Sequence, residues 1–140
     1  MSTLVRPGGV VTFQDLNTTR IWSVPALPLL ARGIAMVNDC LRAAGRTLDT
    51  GERLYSLFRE AGLADPELAV AVPTPQDKES AVVMLGQTLV ALPFAEESGV
   101  VTPGDLDPDT LIDQLREELR NTPCAIYLAE LVTAWTRLPG

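Results

Sequence analysis

The fold turns on one stretch near the start of the chain, Arg6-Pro7-Gly8-Gly9-Val10-Val11-Thr12-Phe13. Proline fixes φ, and the two glycines accept backbone conformations that a side chain resists, so residues 6–9 read as a turn. The β-branched and aromatic run behind it reads as a short buried strand. Polar residues at Gln14-Asp15-Leu16-Asn17 take the chain out of the sheet. Structure then loosens through Thr18-Thr19-Arg20-Ile21-Trp22-Ser23 as far as Pro25.

Outward from this strand the periodicity is mostly helical. From about Ala26 to Ala44, Leu27, Leu30, Ile34, Val37 and Leu41 recur at steps of three and four and share one face. Arg32, Asp39 and Arg42 fall elsewhere on the wheel, and Gly45 suits a left-handed terminator. A second helix, from about Gly51 to Ala61, turns Leu54, Leu57, Phe58 and Ala61 inward; Gly62 ends it and Leu63 folds back on its last turn. Leu68-Ala69-Val70-Ala71-Val72 reads as a second strand, closed by Pro73 and Pro75.

From Ser80 to about Ala95 the chain is apolar nearly all round, the pattern of a helix that is buried or lies at an interface. Asp107-Pro108-Asp109 opens a fourth helix, with Leu111, Ile112, Leu115 and Leu119 as its inner stripe. After a turn near Pro123, a last strand runs from about Leu131 to Thr136. The order β-α-α-β-α-α-β predicts a single α/β domain, residues 1–140, with about three strands and four helices.

Composition narrows the function. The 140 residues are 46% apolar and 21% charged, a globular balance, and a chain of this length buries roughly 68–70% of its unfolded surface. A net charge of −7 argues against nucleic acid or an anionic membrane as partner. No apolar run reaches the ~20 residues of a membrane span, and the N-terminus lacks the layout of a signal peptide, so a cytoplasmic protein is expected. Two cysteines and no histidine leave no zinc-type ligand set and no Ser-His-Asp or Cys-His site within the chain.

Three segments resemble one family in order. Leu4-Val5-Arg6-Pro7-Gly8-Gly9-Val10-Val11 resembles the turn and fifth strand of class I, Rossmann-like, S-adenosylmethionine-dependent methyltransferases. Residues 51–63, ending Glu60-Ala61-Gly62-Leu63, resemble the helix before that family's sixth strand. Val132-Thr133-Ala134-Trp135-Thr136-Arg137-Leu138-Pro139 is similar to its last strand. The resemblance is strongest to the small-molecule branch and implies the C-terminal half of the fold, strands five to seven.

It also implies an absence. The glycine-rich loop and the acidic strand end that hold S-adenosylmethionine in the family have no counterpart here, so this chain alone is not expected to bind the cofactor or to be active. Gly8-Gly9 is no substitute, because it precedes a strand instead of following one and opening a helix. Family topology would set the last strand between the strand from Val10 to Gln14 and the strand from Leu68 to Val72, antiparallel to both. The outer edge of Val10 to Gln14 is then open, which invites another strand. Its partner would be a complementary methyltransferase half or a second copy of this chain. The rival reading is a non-catalytic interaction or dimerisation module.

Five residues are candidates for the substrate side: Asp15, Asn17, Trp22, Arg32 and Met36. Asp15 sits where strands of open α/β sheets meet ligands, and either orients a substrate or caps its own turn. Trp22 offers a stacking face or covers the core; Arg32 offers a charge for an anionic group or is solvated surface. The helix bearing Met84 either lines an apolar pocket or is core or dimer contact. Tyr55 and Tyr127 either donate to a substrate or, as buried tyrosines usually do, to a backbone carbonyl. Cys40 and Cys124 read as small structural apolar residues of a reducing compartment, with a disulfide between them as the alternative, and the pairs Glu96-Glu97 and Glu117-Glu118 as solvated surface.

Overall fold

The computed structural model describes residues 5–88, 92–99, 102–104 and 107–140. The elements run β1 (Val10–Asn17), β2 (Trp22–Val24), α1 (Pro28–Ala43), α2 (Thr50–Glu60), β3 (Glu67–Ala71), α3 (Lys78–Thr88), α4 (Leu92–Glu97), α5 (Pro108–Asn121), β4 (Ala125–Tyr127) and β5 (Glu130–Arg137). The strands form two sheets, β1-β5-β3 and β2-β4, and every neighbouring pair is antiparallel. The chain is thus α/β, and its described residues build no parallel doubly wound sheet.

The last strand lies in the middle of the larger sheet. β5 pairs β1 from Val10↔Arg137 to Asn17↔Glu130, and pairs β3 from Glu67↔Trp135 to Ala71↔Leu131. This is the strand order and direction expected above. The opening turn also forms as read: Gly8 has φ +74°, Gly9 N donates to Arg6 O at 2.9 Å, and Gly8 N reaches Pro139 O at 3.1 Å.

β1 is longer than expected. Gln14 and Asp15 stay in the ladder opposite Thr133 and Val132, and Gln14 Nε2 donates to Thr133 Oγ1 at 2.7 Å. Polar side chains end a strand only where the backbone has no partner to continue with, and β5 supplies one. The strand is also less buried than its composition suggests: Val11 is buried, whereas Val10 and Phe13 are about half exposed.

Side chains directly opposite in a ladder share a face. Val11, Phe13, Asp15 and Asn17 therefore lie on one face with Thr136, Ala134, Val132 and Glu130. α2 packs there, joining Leu54 and Phe58 to Val11, Val132 and Ala134 as one core. Phe13 meets Phe58 edge to face, with centroids 5.9 Å apart. α2 is the one helix laid broadly on this sheet. It stops short of β3, whose Leu68 and Val70 remain 49% and 60% exposed.

A second core lies in the helical part. Leu27 just before α1, Leu30 and Ile34 of α1, Ala81 and Val82 of α3, Leu115 and Leu119 of α5, and Ile126 of β4 pack together. The β2-β4 ribbon is a correction to the three-strand expectation. Three-residue strands are too short to show alternation, so no periodic pattern announces them. Trp22 and Tyr127 pair across the ribbon, with rings stacked at 4.7 Å and 6° between planes.

The long apolar helix expected over residues 80–95 falls in part on residues that are not described. α3 ends at Thr88 and α4 begins at Leu92; residues 89–91 lie outside the described residues. α3 is one-sided, with Ala81 and Val82 buried and Val83 and Met84 exposed.

The helix ends account for their free backbone groups in ways the sequence only partly announced. Gly45 and Gly62 take φ +71° and +74° and close α1 and α2, with Leu63 N donating back to Phe58 O at 3.0 Å. Asp107 caps α5, its carboxyl held below the usual range chiefly by the Thr110 hydroxyl, with help from backbone N–H groups.

α1 is capped from outside. Leu27 N donates to Ser23 Oγ at 3.1 Å, Pro28 has no N–H, and Leu29 and Leu30 donate to the two oxygens of Glu118 at 3.0 Å each. Glu118 is therefore a partly buried cap joining α5 to α1, which corrects its reading as solvated surface. Lys78 Nζ returns the favour at the far end of α5, donating to Leu119 O at 2.6 Å and Thr122 O at 2.9 Å.

Gly51 fixes how closely α2 approaches the sheet. A Cβ at this position would stand 2.9 Å from Val132 Cγ2 and 3.1 Å from Asp15 O. Gly51→Ala is expected to destabilise by ~1–3 kcal/mol despite the better helix propensity of alanine, because a branched side chain and a ladder carbonyl must both move. Urea denaturation checks this; a midpoint unchanged or raised contradicts it.

Candidate functional site

The end of β1 carries a polar cluster drawn from β1, the loop after it, α2 and β5. Asn17 closes β1 with no exposed surface. Its Nδ2 donates to Glu52 Oε1 of α2 at 2.9 Å and to Glu130 Oε2 of β5 at 3.4 Å. Its Oδ1 accepts from Thr19 N at 3.1 Å and from the Thr19 hydroxyl.

Arg20 lies over the same carboxylates, 2.7 Å from Glu52 Oε1 and 3.4 Å from Glu130 Oε1. One guanidinium and one amide thus hold two carboxylates of which Glu130 is the more buried, at 15% exposure against 43%. Glu52 Oε2 has no hydrogen-bond partner among the described residues. The group can accept a hydrogen bond from a ligand there, while Asn17 itself is fully engaged.

Of the five residues singled out from the sequence, only Arg32 and Met36 are brought together. Both stand on α1 and line a groove of about 280 Å³ with Asp107, Thr110 and Gln114. Asp15 lines a separate groove of about 250 Å³ between the free side of β1 and α2, walled by Phe13, Leu54, Leu57, Phe58 and Leu63. Asp15 Oδ1 accepts from Leu16 N at 2.7 Å, the local capping bond weighed in its reading.

Trp22 is 40% exposed and committed to its stack with Tyr127, which takes that ring partner where a carbonyl was expected. Asn17 is placed within the polar cluster. Arg20, Glu52 and Glu130 were missed: no motif links positions so far apart in sequence, and only the pairing of β1 with β5 brings them together.

The cysteines are free, Cys40 buried and Cys124 half-buried. Burial pushes the Cys40 thiol up, and the charge of Asp39 adds to the shift. Among the described residues no group of three or more His, Cys, Asp or Glu side chains is placed to hold a metal ion. No described helix is long and apolar enough to cross a membrane.

The residues do not fit S-adenosylmethionine. The two strand-to-helix connections, residues 25–27 and 72–77, contain no glycine. A cradle in which backbone N–H groups approach the cofactor closely needs glycine there. No protein-family profile and no curated protein matches this chain.

Two results are expected at these sites. Asn17→Ala leaves the buried side of Glu130 without its amide donor and opens a void, so it should lower stability by ~2–3 kcal/mol. Arg20→Ala removes a half-exposed ion pair and should cost ~1 kcal/mol or less. Denaturation of the two variants checks the ranking; a larger loss for Arg20→Ala would make the guanidinium, not the amide, the lock. Native alkylation with iodoacetamide should mark Cys124 long before Cys40. Peptide mass spectrometry reads this, and equal labelling would mean that the α1 face around Cys40 opens readily.

Proposed function

We propose that this chain is the substrate-side half of a small-molecule methyltransferase dependent on S-adenosylmethionine, and that another polypeptide supplies the cofactor half. The observation that carries this reading is the larger sheet. Its order, with the last strand antiparallel between β1 and β3, is that of strands five, seven and six in the family the sequence resembles. Among the described residues β1 pairs on one side only, and the sheet face opposite α2 carries no broadly packed helix. An unpaired edge beside a bare face is what removal of the neighbouring strand and its helices would leave.

In this reading the cofactor, bound to the other half, supplies an electrophilic methyl group. This chain's part is to hold the acceptor molecule. The carboxylates of Glu52 and Glu130, steadied by Asn17 and Arg20, stand at the β1 end where an acceptor's hydroxyl or amine would arrive. Alignment of this kind accelerates transfer without a strong base. No histidine is needed for it.

A second reading, a dimerisation module, draws on the same edges, since among the described residues β3 as well as β1 is paired on one side only. Titration calorimetry and solution mass separate the two. The split-enzyme reading expects no S-adenosylmethionine binding by the chain alone. It also expects capture from the source cell of a polypeptide with a glycine-rich strand–loop–helix, and cofactor binding by the complex. A stable homo-oligomer that captures no such polypeptide and never binds the cofactor overturns it in favour of the module.

A further inference from the structure

α1 and α5 face each other across a groove of about 280 Å³. Leu29, Arg32, Gly33 and Met36 line it from α1, at the i, i+3, i+4, i+7 spacing of one helix face. Asp107, Thr110, Leu111 and Gln114 line it from α5 and its N-cap at the same spacing. The two helices already meet in the core through Leu30, Ile34, Leu115 and Leu119, so the groove runs beside that contact.

Gly33 makes the groove deeper than packing requires. The residue sits inside α1, where glycine costs the helix more than alanine would. A Cβ built on it would meet nothing within 4 Å. No neighbour forbids a side chain at this position, so what glycine leaves is open volume on the α1 wall.

The walls also carry opposite charges that do not pair. Arg32 makes no ion pair or hydrogen bond among the described residues, and the Gln114 side chain makes none either. Asp107 turns instead to its own helix, accepting from Asp109 N at 3.3 Å and from the Thr110 hydroxyl. A guanidinium without an internal partner takes a carboxylate through two parallel N–H donations.

We propose that this groove binds a small aliphatic monocarboxylate. Its carboxylate accepts from Arg32, with the Gln114 amide as a further donor, and its chain lies over Gly33 against Leu29, Met36 and Leu111. The volume is at the low end for ligand pockets and suits a chain of about six carbons. Asp107 restricts the ligand to one negative charge, because a second carboxylate would meet it across the groove. The inference does not rest on the methyl-transfer reading, since binding needs neither cofactor nor second chain.

The test is an NMR titration of the full ¹⁵N-labelled chain with hexanoate, hexanamide and adipate. Hexanamide keeps the chain and loses the charge, whereas adipate adds a second carboxylate. Hexanoate is expected to shift the backbone amides of residues 29–36 and 110–114 saturably. Hexanamide should bind about tenfold more weakly, the worth of one charge-assisted hydrogen bond, and adipate should also bind more weakly than hexanoate. Arg32→Gln should bring hexanoate down to the level of hexanamide; the side chain is exposed, so the fold does not depend on it. Asp107→Asn keeps the cap of α5 and should raise adipate to the level of hexanoate. Gly33→Leu should fill the groove and abolish the shifts without lowering the urea midpoint. Should that variant disturb the fold, the Arg32→Gln comparison decides alone. Equal affinities for hexanoate and hexanamide, hexanoate shifts that Arg32→Gln leaves intact, or no saturable shift in these two segments overturns the proposal.

Discussion

The sheet depends on a strand that arrives last. Among the described residues β5 is the only partner of both β1 and β3, so neither has that ladder until the final residues of the chain are in place. Pairing Val10 with Arg137 closes a loop of nearly the whole chain, and such contacts carry their entropic cost before they return any stabilisation. What secures β5 is burial on one face: Val132, Ala134 and Thr136 are covered by α2 and β1. Gly51 is part of this constraint, because α2 can reach Val132 only where it carries no side chain.

The two cores are joined by polar bonds more than by shared apolar surface. Asn17 ties β1 to α2 and β5, Thr18 N donates to Leu48 O at 2.9 Å, and Leu128 N donates to Pro73 O at 2.9 Å. On the helical side Glu118 and Lys78 use α5 to fasten the ends of α1 and α3. Hydrogen bonds of this kind have strict geometry, so they set the position of one core against the other without filling the space between them.

Function follows from the same incompleteness. Among the described residues the sheet has two free edges and one face bare of helix, an arrangement that a neighbour would complete, and an apolar groove lies between β1 and α2 beside Asp15 and Phe13. The polar cluster at the end of β1 is directed by a different logic. It gathers a carboxylate from a helix, another from the last strand and an arginine from a loop around one buried amide. Neither feature requires the other, and a neighbour at the edge would leave the cluster in place.

By itself the sequence determined where helices start and stop, and which of their faces turn inward. Those properties are local: Gly45 and Gly62 accept a left-handed conformation, Asp107 and Pro108 suit a first turn, and leucines at helical spacing need a common cover. The order of the larger sheet was legible too, but through resemblance and not through periodicity. Tertiary structure alone decided the rest. It kept Gln14 and Asp15 in a strand because β5 offered them partners, and it made strands of residues too few to show alternation. It turned Glu118 from surface charge into a helix cap. It drew Arg20, Glu52 and Glu130 around Asn17, and it left the carbonyl of Asn38 facing no donor among the described residues. Each of these depends on groups brought together from distant parts of the chain, and a pattern read within a few turns cannot contain them.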